Sequence, residues 1–276
     1  MCDIDLDALL SGSGPGEFVG HMLKHDLIPP PSFQLYPLGA DGSSVVYPEE
    51  RQSLPIVLQL RYEVTLHAIR LGLLAREFRS DSSFETTDMR QKLMAIKLRQ
   101  SRVSDIQEGL RQLWAVPAVQ EIGRMALPVR AQRLFHHAWT LYRACIIYSY
   151  TSMWHGQRMD TSPDCETEIT AALRQTLQVS QAIMETTSNA ARFVVFPLFM
   201  AGFASAVDSE KMLALDMIKQ MEQGCIVGQN TRSTRKALES IYERQKEEFM
   251  HNGHSLDVDW LEVMAERGVT VVNFGL

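Results

Sequence analysis

The stretch FHHAWTLYRACIIYS (135–149) gathers the side chains of this protein best suited to act together on a small molecule. His137, Tyr142 and Tyr148 are the candidate catalytic groups, donors that could polarise a carbonyl as charge shifts in a transition state. Ser149, Trp154, Arg192, Phe196 and Phe199 are the candidate ligand-binding groups. They combine apolar walls with a few polar handles, the make-up of a small-molecule pocket. Arg192 stands ahead of an apolar run, where it could meet a carboxylate. His136 and His137 point about 100° apart on a helix, whereas a helical metal clamp uses positions i and i+4. The spacing of His251, His254 and Asp257 in HNGHSLD could ligate an ion. No further histidine or carboxylate pattern supports it, so no metal site is expected. GSGPG (12–16) lacks the Lys and Ser/Thr of a phosphate loop. Cys2, Cys145, Cys165 and Cys225 lie too far apart for a zinc module, and no cofactor is expected.

These side chains have to be positioned by helices. A hydrophobic fraction of 45% and a charged fraction of 22% suit an ordinary folded domain, and a formal net charge of -6 argues against a phosphate-binding surface. Direct nucleic-acid binding is therefore not expected. The run ARFVVFPLFMAGFASAV (191–207) raises the question of a membrane. Arg192 and Asp208 bound about 15 apolar residues where ~20 are needed, so no membrane span is expected. Its first reading is a buried core helix kinked at Pro197, its second a wall of an apolar cavity shared with the helix carrying His137. Gly202 would let another helix or a ligand approach closely. An acidic N-terminus and dispersed cysteines fit the cytoplasm or nucleus.

Residues 1–53 read as a Gly/Pro-rich arm, extended, partly packed or lid-like, with a short helix within 18–27. The apolar Phe33, Leu35, Tyr36, Val45, Val46 and Tyr47 suggest that it packs on the rest. Residues 54–276 read as a single all-α domain of about eight helices. Val57, Leu60, Val64, Ala68, Leu71, Ala75 and Phe78 form an apolar seam at three- and four-residue spacing. A second helix over 87–114 would bury Met89, Leu93, Ile96, Val103, Ile106, Leu110 and Leu113. The third, from Pro128 to about His155, is apolar on two stripes and must be central. Helices follow over 164–186, over the apolar run, over 209–224 and over 233–249 with Phe249 inward. A short last one is capped by Asp257 or Asp259 and closed by Gly268. No alternating strand–helix pattern supports a nucleotide-binding sheet.

Three segments carry a resemblance: FHHAWTLYRACIIYSYTSMW (135–154), FVVFPLFMAGFASA (193–206), and NTRSTRKALESIYERQ (230–245) followed by DVDWLEVMAERGVTVV. In this order they resemble the C-terminal regulatory domain of fungal zinc-cluster transcription factors, over about residues 128–272. Pro197, Leu198, Phe199, Ala201 and Gly202 match that family's "wPLfiaG" signature. The family's DNA-binding module is a compact six-cysteine array, and residues 1–54 hold only Cys2. The chain is then either a piece of a longer regulator or a complete protein keeping the domain without its DNA reader.

Two functions follow. The resemblance implies a small-molecule-binding regulatory module, in fungal secondary metabolism, whose partner is a hydrophobic small molecule or a protein. The alternative is a cofactor-independent biosynthetic enzyme of the pericyclase or isomerase type, which would cyclise or rearrange a hydrophobic substrate by orientation in the same pocket. A closed cavity beside the apolar run would favour ligand handling; a filled core with an exposed apolar patch would favour a protein partner.

Overall fold

Apolar residues three and four apart set the long helices here, and proline and glycine set where most of them start and stop. A computed structural model describes residues 6, 9–11, 14, 16–28, 48–80, 89–155, 157, 163–186, 193–224, 228–253 and 258–268. These residues form α-helices and a short 3-10 turn, with no strand among them. The helices are α1 (Glu17–Lys24), α2 (Leu54–Ser80), α3 (Met89–Ala115), α4 (Pro117–Ile122), α5 (Val129–Thr151), α6 (Pro163–Thr186), α7 (Val195–Ala204), α8 (Asp208–Gly224), α9 (Gly228–Asn252) and α10 (Trp260–Glu266). The all-α reading holds, with α4 added to the expected set. Pro117 starts this helix in a first turn that needs no amide from it, and Gly123 follows its end.

Helix α5 is the central element. It packs against α2, α6 and α7 and touches α3, which is why it is apolar on more than one stripe. The predicted seam of α2 is buried throughout, from Val57 to Phe78. Residues ahead of it contribute too: Leu6, Leu9, Leu10 and Val19 are buried in the same core. A Cβ on Gly72 would lie 2.8 Å from Leu9 Cγ, so α2 keeps a bare backbone where Leu9 crosses it. Glu50 is buried and pairs with Arg130 at the start of α5. The apolar residues 33–47 singled out above lie outside the described residues.

Helix α7 is buried at every position and is surrounded by α5, α6, α8 and α9. Pro197 does not lie inside the helix as expected, so the reason for a kink there falls away. The helix begins at Val195, so Pro197 falls in its first turn, where a missing N–H breaks no helical bond. Gly202 does admit a neighbour. A Cβ there would meet Tyr242 Oη at 2.7 Å and Ala214 Cβ at 3.0 Å, so α8 and α9 close directly on its backbone.

The first turns of α3 also depart from expectation. Met89 and Leu93, expected inside, are 69% and 52% exposed, with Met94 and Leu98 exposed beside them. Glu77 pairs with Arg102, and the Phe78 ring lies 4.9 Å from the Arg99 guanidinium, so α2 and α3 run antiparallel in that register. Ser80 therefore ends α2 opposite the third turn of α3, and residues 89–96 extend past it. Phe249, near the end of α9, is likewise 56% exposed.

Candidate functional site

The last turn of α3 and the middle of α5 meet in a cluster of aromatic rings. On α5, Trp139, Tyr142 and Arg143 share one face, being three and four residues apart. The Trp114 ring, from α3, stands edge-on to Trp139 at 4.5 Å and lies 5.1 Å from Tyr142 and 5.6 Å from Phe135. The Arg143 guanidinium stacks 4.4 Å from the Trp139 ring and 4.8 Å from Tyr142. Trp114, Phe135, Trp139 and Arg143 are half-buried, and Tyr142 is buried. Phe135 packs beneath Gly123, whose Cβ position is 3.3 Å from its ring, so the turn after α4 covers this corner.

The carboxylate that acts on Arg143 is that of Glu168, and both of its oxygens are engaged. Arg111 Nε and Nη2 donate to Glu168 Oε1 and Oε2 at 2.9 and 2.7 Å, and Tyr150 Oη donates to Oε2 at 2.8 Å. Burial alone would raise the Glu168 pKa. The bonds from Arg111 and Tyr150 overcome it and hold the carboxyl below its ordinary range. Burial pulls the Arg143 pKa down, and neither its Nε–H nor the Trp114 indole N–H has an acceptor, although both atoms are buried. Two donors without acceptors, set among aromatic faces, form a place suited to a flat ligand that brings its own acceptors.

A second polar cluster is structural. Arg79 Nη1 and Nη2 each donate to Asp259 at 3.0 Å, and its Nε donates to the Ser152 carbonyl at 3.0 Å. Asp259 also caps α10 through Leu261 N, and Trp260 Nε1 donates to Ser152 Oγ at 2.7 Å. This network latches α10 to the ends of α2 and α5. His155, Asp259 and Glu262 come within ligating distance of one another. With Asp259 committed to a guanidinium, the cluster is an ion-pair network and not a cation cage.

The family model for the fungal specific transcription factor domain matches residues 69–274. The chain belongs to that family. The match covers the aromatic corner, all of α7 and the Asp259–Trp260 latch. No curated protein and no solved structure matches the chain.

Within this transcription factor domain the predicted site residues occupy separate packing positions. Tyr142 is the one that joins the aromatic corner. Tyr148 lies 6.4 Å from Phe196, and burial pushes its phenol pKa up. Phe199 packs edge-on against Trp260 at 4.9 Å, so α7 presents these two rings to other side chains of the core. Ser149 accepts from Gln107 Nε2 at 2.7 Å and donates to the Ile146 carbonyl. Trp154 is half-buried, and its carbonyl accepts from Arg79. His137 lies 4.7 Å from the Phe193 ring; burial and the Arg61 charge push its pKa down to about 3, keeping it neutral. His137, Tyr142 and Tyr148 thus face three different sets of neighbours. Arg192, His254 and Asp257 lie outside the described residues, and His251 bonds to the carbonyl of Glu247 in its own helix.

Trp114, Trp139 and Arg143 were missed. The i, i+4 pairing of Trp139 with Arg143 around Tyr142 was the available signal. A separate open groove of about 340 Å³ lies between α1, α2 and α3, lined by Leu23, Leu73 and Ile106, with the Glu77–Arg102 pair on its rim.

Proposed function

We propose that this transcription factor domain is a small-molecule-binding regulatory module, and that its ligand seats in the corner formed by Trp114, Phe135, Trp139, Tyr142 and Arg143. The observation that supports the reading most is the pair of buried donors, Trp114 Nε1–H and Arg143 Nε–H, left without acceptors among half-exposed aromatic rings. The corner joins α3, α4 and α5, so a ligand held there would favour one packing of α3 on the central helix over others. That coupling is what a regulatory domain needs. The net charge of -6 fits a domain that works through ligands or proteins more than through phosphate contacts. Its place is nuclear or cytoplasmic; no helix among the described residues is long and apolar enough to cross a membrane. Secondary metabolism is the setting the proposal assigns to the ligand.

Native mass spectrometry of the full chain, incubated with a small-molecule extract of the organism that makes it, tests this. The expected result is a retained ligand that Trp139→Ala no longer holds while keeping its helical circular dichroism. A ligand retained equally by both would move the site elsewhere, and no retained ligand would overturn the reading.

A further inference from the structure

We infer that the corner is an anion site and that its ligand is an aromatic monocarboxylic acid or a close analogue, with the acid group on Arg143. This rests on the ligand-binding reading above and adds the ligand's charge. A guanidinium in a half-buried position is ordinarily matched by an anion. The carboxylate that acts on Arg143 is Glu168, and Arg111 and Tyr150 take up both of its oxygens. Arg111 thus holds Glu168 in a direct ion pair, whereas Arg143 feels that carboxylate only at longer range. Stacking on Trp139 and Tyr142 holds the Arg143 fork flat, and a flat fork matches a planar carboxylate.

The surrounding charges favour a monoanion over a dianion. Glu168 acts on Arg143, and Glu108 stands 3.8 Å from Arg111, so a dianion such as phosphate would meet more repulsion than a carboxylate. The body of the ligand follows from the walls. Trp114 packs edge-on against both Phe135 and Trp139, and because all three rings are only half-buried, the parts left exposed form an aromatic wall. The indole N–H of Trp114 is a second donor, so the ligand carries a neutral acceptor, a carbonyl or hydroxyl oxygen, apart from its acid group. Both donor atoms are covered in the free chain, so a ligand reaches them only as neighbouring side chains move aside.

The test uses two fluorescent probes with the same aromatic body, 1-anilinonaphthalene-8-sulfonate and the uncharged N-phenyl-1-naphthylamine, titrated into the full chain at pH 7. The sulfonate probe should bind at least tenfold more tightly. Arg143→Met should abolish that preference with little change for the neutral probe, and Arg143→Lys, which keeps the charge but not the fork, should retain part of it. Equal binding of both probes to the wild type, or a preference that survives in Arg143→Met, overturns the anion assignment. The corner reading would then stand provided Trp139→Ala weakens both probes. Binding of both probes unchanged by Trp139→Ala overturns the two together, as does binding of neither. Circular dichroism and urea midpoints of each variant separate lost binding from lost folding, and Arg143→Lys answers if Arg143→Met fails to fold.

Discussion

Removing the carboxylate of Asp259 should unlatch the C-terminal helix, and the structure sets the size of the loss. Asp259 is 3% exposed at its side chain and Arg79 13%, so their pair is largely withdrawn from water. Breaking a buried pair by deleting one partner costs about 3–5 kcal/mol, because the other charge is left uncompensated. Arg79 keeps bonds to the carbonyls of Ser152 and Trp154, at 3.0 and 3.4 Å, which draws the figure toward the lower end. The same oxygen that meets Arg79 Nη2 also caps α10 at Leu261 N and Glu262 N, and a lost cap is worth about 1 kcal/mol. The terms share an oxygen and do not add in full. Asp259→Ala should therefore cost about 4 kcal/mol.

Urea unfolding followed by circular dichroism measures this directly, provided the m-value is unchanged. Asp259→Asn should cost about 1 kcal/mol less than Asp259→Ala, since its amide oxygen can still cap the helix. Tryptophan emission should shift to the red in Asp259→Ala as Trp260 leaves its place against Phe199. The decisive control is Arg79→Met with Asp259→Asn, which removes both charges. It should be more stable than Asp259→Ala despite carrying more changes. A loss below about 1 kcal/mol in Asp259→Ala, or a double variant as poor as the sum of its singles, would refute the latch.

Gly202→Ala should destabilise by about 1–3 kcal/mol, visible as a lower urea midpoint, because the new methyl falls 2.7 Å from Tyr242 Oη. Leu10→Ala should cost about 2–4 kcal/mol, since Leu10 is fully buried; a change near zero in thermal melting would detach the N-terminal residues from the core. His137 is neutral in the fold down to about pH 3, whereas its unfolded form takes up a proton below about 6.5. Its contribution is therefore complete above pH 6.5 and is lost as pH falls toward 3, by about 1.4 kcal/mol per pH unit, and His137→Gln should flatten that slope in urea titrations. Arg143→Met should leave the stability of the free protein within about 1 kcal/mol of wild type, because it removes both a cation–π contact and an unpaired desolvated charge.

Helix positions were legible because burial in a helical domain is written as spacing. The seam from Val57 to Phe78 and the two-striped α5 needed no knowledge of their neighbours. Errors arose where the neighbour decides. The periodicity of α3 continues through Met89 and Leu93, yet α2 stops at Ser80 and leaves them uncovered. A spacing rule records what a helix could bury and is silent on the length of its partner. Pro197 was misplaced for a local reason. The apolar run extends to Ala191, which made the proline look internal, while its own ring favours the first turn, where the helix in fact begins. The site was less legible still. Tyr142 was visible as an aromatic donor on an apolar helix, but Arg143 reads as an ordinary outward arginine. Its lack of an acceptor emerges only when Arg111 is seen to hold Glu168, a pairing that joins helices far apart in the chain.

Arg79 and Arg143 put one chemistry into two different surroundings. Both are arginines withdrawn from solvent on long core helices. Arg79 has a carboxylate on its fork and two carbonyls on other N–H groups, so four of its five donors are used and its charge is matched. Arg143 has two ring faces and an Nε–H with no acceptor. Aromatic faces attract the guanidinium without consuming its N–H donors, so stacking can hold the group in place and still leave its hydrogen-bonding capacity for another molecule. Had Glu168 paired with Arg143 instead of Arg111, the corner would be as saturated as the latch. Arg111 and Tyr150 occupy both oxygens of Glu168, and in the proposed reading an ion pair that looks merely structural keeps the neighbouring arginine available for a ligand.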